Sequence, residues 1–248
     1  METALIVSLS NQMVLRRKMD IIANNLANMS TTAFKRESAL FEEYDSPVEV
    51  RDPDGGVRTT NIKFVRDYGV ARDLSEGQFD TTSSPLDIAI KGDGYFVVSA
   101  PDGERYTRNG HFSLDDRGRI VTNEGYSLLD EGGGELVVQP GDEPLKVAGD
   151  GTLSTRAGVL GRIGVVDFED VTALRKMGNN LYQSDETPIP SHKARLVQGM
   201  LERSNVEPVI EMTQMIEVMR AYQQSSEIIQ TGEDMVRRAV QKLGEVKV

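Results

Sequence analysis

Apolar residues recur along the first 28 positions at steps of three and four. Leu5, Leu9, Leu15, Met19, Ile22 and Leu26 lie on one line, shared with Ser8 and Gln12. The spacing is close to the 3.5-residue period of a coiled-coil seam, and it predicts an amphipathic helix over residues 3–28. No Gly or Pro interrupts it, and 26 helical residues would reach about 39 Å. The same stepping returns at the other end. Met212, Met215, Met219, Tyr222, Ile229, Val236, Val240 and Leu243 predict a second helix from Pro208 to Leu243, with Ser226 and Glu233 interrupting its seam. Ser204 and Glu207 have the spacing of a capping box, and Pro208 is compatible only with a first helical turn.

Between the helices the period changes to two. Leu86-Asp87-Ile88-Ala89-Ile90-Lys91 alternates, and Tyr95-Phe96-Val97-Val98 is a short apolar run. Turn signals then follow every seven or eight residues: Asp102-Gly103, Asn109-Gly110, Arg117-Gly118 and Glu124-Gly125. Short antiparallel strands are the expected result, with Asn109-Gly110 suited to a two-residue hairpin. Gly118, Ile120, Thr122 and Gly125 are echoed by Gly151, Leu153, Thr155 and Gly158, a pattern that duplication or two similar hairpins would each produce. Residues 31–80 follow neither period. Ser46-Pro47 and Asp52-Pro53-Asp54-Gly55-Gly56 are turn chemistry, so the segment reads as an extended, partly irregular connector with short strands.

The expected fold is therefore α+β. Long N- and C-terminal helices (1–30 and 200–248) pack as an antiparallel coiled-coil-like pair. A connector (31–80) leads to an inserted, mainly antiparallel β-domain (81–199). A long apolar stripe is not stable in water, and the economical arrangement brings the two ends together.

Composition narrows the function. The formal net charge is -11 and the basic cluster Arg16-Arg17-Lys18 is short. Nucleic acid is not an expected partner, because phosphate binding needs clustered Lys and Arg. The chain has no Cys, which removes disulfides, thiolate metal sites and Cys nucleophiles. The apolar runs are far below the roughly 18 residues that span a bilayer, so no direct membrane insertion is expected. The run Ala4–Val7 is too short for a secretory leader. His111 and His192, the two histidines, have no metal-like neighbours. Gly92-Asp93-Gly94 lacks the third Gly of a dinucleotide loop, and Gly132-Gly133-Gly134 precedes no Lys-Ser/Thr. No catalytic residue, metal or cofactor is expected. Met212–Met219 reads as packing between helices, partly between subunits, rather than as a ligand box.

Ala23-Asn24-Asn25-Leu26-Ala27-Asn28 is the most unusual stretch. Asn competes with the helix backbone for hydrogen bonds, so three within five residues weaken the helix locally. Two readings fit: a polar face that bonds neighbouring molecules, with Asn24 and Asn28 opposite Leu15, Ile22 and Leu26, or a fraying C-terminus. The hexapeptide and the following Ser30-Thr31-Thr32-Ala33-Phe34-Lys35 resemble the N-terminal motif of the flagellar axial family of rod and hook proteins. Ala33 stands where Gly is usual there, which argues against a tight positive-φ turn. Leu86–Phe96, Tyr106-Thr107-Arg108-Asn109-Gly110, Leu201-Glu202-Arg203-Ser204-Asn205-Val206 and Arg220-Ala221-Tyr222 also resemble that family, in the same order.

The resemblance implies a structural subunit of the bacterial flagellar basal-body rod that is not an enzyme, placed in the proximal rod, with a distal rod subunit of the same family as the alternative. Its implied partners are other rod proteins, copies of itself and the flagellar type III export apparatus. Its implied location is the periplasmic rod, reached without a cleaved signal peptide. The implied assembly interface comprises Leu5, Leu15, Met19, Ile22, Asn24, Asn25, Leu26 and Asn28 on the first helix, and Met212, Met215, Met219, Tyr222, Ile229 and Val236 on the second. A reading from a different class is a β-domain that binds or cleaves glycan, carrying helices for dimerisation.

Overall fold

The computed structural model describes residues 2–51, 56–142, 144–191 and 193–245. It is an α+β protein of two compact units. One comprises residues 1–29, 36–74 and 206–248; the other comprises 30–35 and 75–205.

The first unit contains both long helices, α1 (Glu2–Ala27) and α2 (Pro208–Glu245), and a hairpin of β1 (Glu37–Arg51) and β2 (Val57–Arg72). Pro208 occupies the first turn of α2, where its missing N–H costs nothing, and Glu211 N–H closes the first helical bond on the Glu207 carbonyl at 3.1 Å. The helix thus starts at Pro208, four residues beyond Ser204. Ser225 Oγ donates to the Ser8 carbonyl at 3.3 Å, and Asn25 Nδ2 donates to Glu211 Oε2 at 3.0 Å. The two helices therefore run in opposite senses. Leu15, Ile21 and Ile22 supply the buried stripe of α1.

The segment expected as an irregular connector is mostly β1 and β2, which pair antiparallel from Glu37↔Arg72 to Arg51↔Val57 with a bulge at Leu40/Phe41. Pro47 sits within β1, opposite Asn61. It is tolerated because both strands of a two-stranded ribbon are edges. An isolated two-stranded ribbon is marginal in water. This one lies along α1: Ser10 Oγ donates to the Val65 carbonyl at 3.3 Å, Arg17 pairs with Asp67 at 3.1 Å, and the Lys18 ammonium sits 5.3 Å from the Phe41 ring centre.

The second unit is built of short antiparallel strands, several of them paired across long stretches of chain. β3 (Phe79–Thr81) pairs with residues 200–202 and β4 (Ile88–Lys91) with 195–198. β5 (Tyr95–Ala100) and β6 (Gly103–Thr107) form a hairpin at the centre of the largest sheet. The run Tyr95–Val98 is apolar throughout because β5 is covered on both faces. Phe96 and Val98 join Ile88, Ile90, Ile120, Leu128 and Leu153 in one core. Tyr95 and Val97 join Tyr106, Phe168 and Tyr182 in another, where the Tyr106 and Phe168 rings meet edge-on at 4.8 Å. The echoed motifs map onto two hairpins whose Ile120 and Leu153 are fully buried in the same core.

Asn109-Gly110 makes no hairpin. Gly110 is absent from the positive-φ glycines of the described residues. It is needed for a different reason: a Cβ there would lie 1.6 Å from the Ile88 carbonyl oxygen, the strand to which Gly110 is bonded. Ala33 departs from expectation the other way. It adopts φ 55° and is almost fully buried, so the turn keeps the left-handed conformation without a glycine.

Candidate assembly surface

The Asn motif begins with position. Asn25 falls three residues after Ile22 and four after Ile21, inside the apolar stripe of α1, so its amide is carried into the interior of the first unit. It is fully buried. Its Nδ2 donates to the Glu37 carbonyl at 2.8 Å and to Glu211 Oε2 at 3.0 Å, and its Oδ1 accepts from Glu37 N–H at 3.0 Å. The amide therefore ties the end of α1 to the start of β1 and the first turn of α2. Glu211 is also fully buried; its other oxygen accepts from Arg36 Nε, and Arg36 Nη2 reaches Gln214 Oε1 at 3.3 Å. An acidic residue in a first turn also meets the favourable end of the helix dipole.

Asn24 and Asn28 lie on the solvent side. Asn28 Nδ2 donates to the Asn24 carbonyl at 2.9 Å and its Oδ1 at 3.1 Å, and Asn24 Nδ2 donates to Glu37 Oε2 at 3.2 Å. Leu15 and Ile22 are buried, while Met19 and Leu26 are half-buried. The Leu5 side chain and His192 lie outside the described residues. On α2 the single seam read from the sequence divides. Met215, Tyr222 and Ile229 are half-buried, whereas Met212, Met219 and Val236 are exposed. Ser8 stands level with Ser225, so α2 passes the start of α1 about a turn before Val236. His111 Nδ1 lies 2.7 Å from Asp87 Oδ1 on the surface of the second unit.

Sequence reasoning missed a second buried carboxylate. Glu202, within the second unit, is about 2% exposed. Its Oε1 accepts from Lys35 Nζ at 2.7 Å and Gly77 N–H at 3.0 Å; its Oε2 accepts from Arg108 Nε at 2.8 Å. Lys35 Nζ also donates to the Ser75 carbonyl at 2.6 Å, and Arg108 Nη2 to the Gly92 carbonyl at 2.8 Å. Burial works against the charge of Glu202, but Arg108 and Lys35 override it and hold the carboxyl below its ordinary range. Burial pushes the Lys35 ammonium down, and Glu202 offsets this only in part. Glu202 is thus the buried anion that two cations share, and the half-exposed Glu76, 3.6 Å from Arg108 Nη2, is the second carboxylate of the cluster.

Comparison with known proteins bears on what this scaffold is for. The flagella basal body rod protein model matches residues 6–35. The flagellar hook protein FlgE/F/G D1 domain model matches 89–155. The flagellar basal body rod FlgEFG protein C-terminal model matches 197–242. The chain is 42% identical to the flagellar basal-body rod protein FlgF of Caulobacter vibrioides, over 99% of this chain and 100% of the relative. The chain belongs to the flagellar basal-body rod protein family. It is also 32% identical to the FlgF of Mesorhizobium japonicum, over 98% of this chain and 99% of the relative. Identity to the FlgG of Bacillus subtilis is 32%, over 90% of this chain and 92% of the relative.

As a rod-family member the chain is a structural protein and not an enzyme, and a glycan-binding or glycan-cleaving role finds no support among these relatives. Each segment matched by a rod-family model contributes one member of the Glu202 cluster: Lys35, Arg108 and Glu202 itself. The signal was present in the sequence as three charged residues, each inside a resembling motif. Nothing local marked them as buried partners.

Proposed function

We propose that this chain is a proximal-rod subunit of the flagellar basal body, and that its terminal helices build the axial core together with other rod proteins and with copies of itself. The observation that supports this reading most is the full-length similarity to FlgF, at 42% identity. The apolar surface that α1 and α2 leave exposed is consistent with burial in an assembly. In that reading α1 and α2 pack as an antiparallel coiled-coil-like pair, and the interface combines Leu15, Met19, Ile22, Asn24, Leu26 and Asn28 with Met212, Met215, Met219, Tyr222, Ile229 and Val236. Leu5 belongs to the same stripe. Asn25 acts from inside, by fixing the junction of α1, β1 and α2.

Residues 81–199 act as a β-domain inserted between the helical ends. The subunit reaches the periplasm through the flagellar type III export apparatus. Distal-rod placement is the second reading, favoured by 32–34% identity to several FlgG proteins over about 90% of the chain. Purified basal bodies separate the two. Proximal placement predicts that cells lacking this chain fail to add the distal rod, whereas distal placement predicts a proximal rod that is complete but bare. Normal rods and motility in the deletion strain would refute both.

A further inference from the structure

Residues 30–35 belong to the second unit, yet the residues on both sides of them, 1–29 and 36–74, belong to the first. The rest of the second unit begins at Ser75, 40 residues beyond Lys35. The segment is therefore a short strap, supplied to the second unit from outside its continuous chain. Three consecutive strap residues are interior: Ala33 is 1% exposed, Phe34 2% and Lys35 3%. Phe34 nevertheless joins neither of the two apolar cores of that unit. Its ring is capped instead by the Lys176 ammonium, 4.4 Å from the ring centre.

The strap backbone is held as well. Asn180 Nδ2 donates to the Thr32 carbonyl at 3.0 Å. Ala33 N–H donates to the Glu202 carbonyl at 2.8 Å, and Asn205 N–H donates to the Phe34 carbonyl at 3.3 Å. Within the strap, Phe34 N–H closes a turn on the Thr31 carbonyl at 3.3 Å, with Ala33 at φ 55° inside it. Lys35 Nζ then reaches the Ser75 carbonyl and the Glu202 carboxylate. Main-chain bonds for affinity and separate positions for successive side chains are the means by which proteins recognise short peptides.

We propose that residues 75–205 form a peptide-recognition slot, and that its ligand is the strap of the same chain, a turn of small, aromatic and basic residues in that order. Docking of the strap is an equilibrium of its own, distinct from folding of the two cores. Phe34 lies outside both cores, and so do its partners and those of its neighbours: Ser75, Lys176, Asn180, Glu202 and Asn205. A tethered strap meets the slot at an effective concentration on the order of 1 mM. It stays docked if the slot binds the same sequence, added as a free peptide, with a Kd of about 0.1 mM or below. A slot already filled by its own strap then binds that peptide about tenfold more weakly than an empty one.

The full chain serves for the test, with a fluorescein-labelled peptide of the sequence of residues 30–36 as the probe. In Phe34→Asp a charged side chain takes the place of the ring, which expels the chain's own strap and leaves the slot open. Fluorescence anisotropy should show saturable binding of the peptide to this variant, with binding to wild type about tenfold weaker. Peptides carrying Phe34→Ala or Lys35→Glu should bind neither chain, the second because it sets two carboxylates together at Glu202. Amide-resolved hydrogen exchange gives an independent readout. In wild type, Ala33 and Asn205 N–H should exchange at least about tenfold faster than Val97 and Ile120 N–H, which are bonded to the Gly164 and Leu136 carbonyls. In Phe34→Asp the Val97 and Ile120 amides should keep their wild-type protection. Equal rates for the two pairs in wild type, loss of Val97 and Ile120 protection in the variant, or no saturable binding to the variant each overturn the proposal, because the strap is then an inseparable part of the core. Equal binding to wild type and variant also overturns it, because the peptide then sits elsewhere.

Discussion

Replacing Glu202 by Gln keeps the shape and removes the charge. In the folded second unit this removes the buried anion that Arg108 and Lys35 share, leaving Arg108 the half-exposed Glu76 at 3.6 Å, and the Gln amide group turns at least one donor toward a cation. Breaking a buried ion pair by removing one partner costs about 3–5 kcal/mol, because the other charge stays buried. Lys35 can escape by releasing its proton, since burial already pushes it down. Arg108 cannot, although the Gly92 carbonyl still accepts from its Nη2. We therefore expect about 3 kcal/mol, near the lower bound of that range.

Lys35→Met should behave differently. Glu202 keeps Arg108 and the Gly77 N–H, and a cation that burial disfavours is gone, so the expected change is within about 1 kcal/mol. Urea unfolding of the full chain, followed by tyrosine fluorescence and circular dichroism, measures both. The pH dependence supplies a second readout. The Glu202 carboxyl is depressed in the folded state. Its stabilisation is fully present above the unfolded value of about 4.3 and is lost as pH falls through the lower folded value. Wild type should lose this contribution in acid, and Glu202→Gln should not. A Glu202→Gln loss below about 1 kcal/mol, or a Lys35→Met loss as large as that of Glu202→Gln, would refute the account of Glu202 as the buried anion that both cations share.

Asn25→Ala deletes three interior hydrogen bonds and strands Glu211 without one donor, so it should destabilise the first unit by about 2–4 kcal/mol in urea titrations. Asn24→Leu, on the solvent side, should leave monomer stability within about 0.5 kcal/mol while reducing incorporation into basal bodies, as scored by swimming assays and immunoblots. Gly110→Ala should cost about 3 kcal/mol or more, because the new methyl meets the Ile88 backbone and not a movable side chain; circular dichroism melts check this. Ala33→Gly should be tolerated, whereas Ala33→Val should destabilise by about 2 kcal/mol, since a β-branched residue is poorly suited to positive φ. Equal stability of the two Ala33 variants would contradict the φ 55° turn.

Both helices and the strand run Tyr95–Val98 were legible because their periods are set by burial on one side or on both. The long hairpin was not. None of its described residues is fully buried, so burial leaves little alternation to read, and Pro47 argues against a central strand while being harmless on an edge. Asn109-Gly110 carried a hairpin signature, but Gly served a close backbone approach there, and dipeptide statistics do not distinguish those needs. The Asn motif was visible as unusual. Its division into one interior amide and two solvent-side ones follows from Asn25 sharing the stripe of Ile21 and Ile22. The Glu202 cluster could not be read, because charged side chains 73 or more residues apart give no local sign that they will share a buried site.

The order in which the chain closes follows from how its segments are interleaved. The second unit needs only residues 30–35 and 75–205, whereas the first needs 1–29, 36–74 and 206–248. The Asn25–Glu211 bond joins residues 186 apart in sequence. Local hairpins form early, and pairings of such separation form late, since the loop entropy must be met before the contact exists. A chain threaded N-terminus first through a narrow conduit would emerge with α1 waiting for a partner that arrives last. The helical pair would form only once almost the whole polypeptide is through, so completion of the fold would itself report completion of transit.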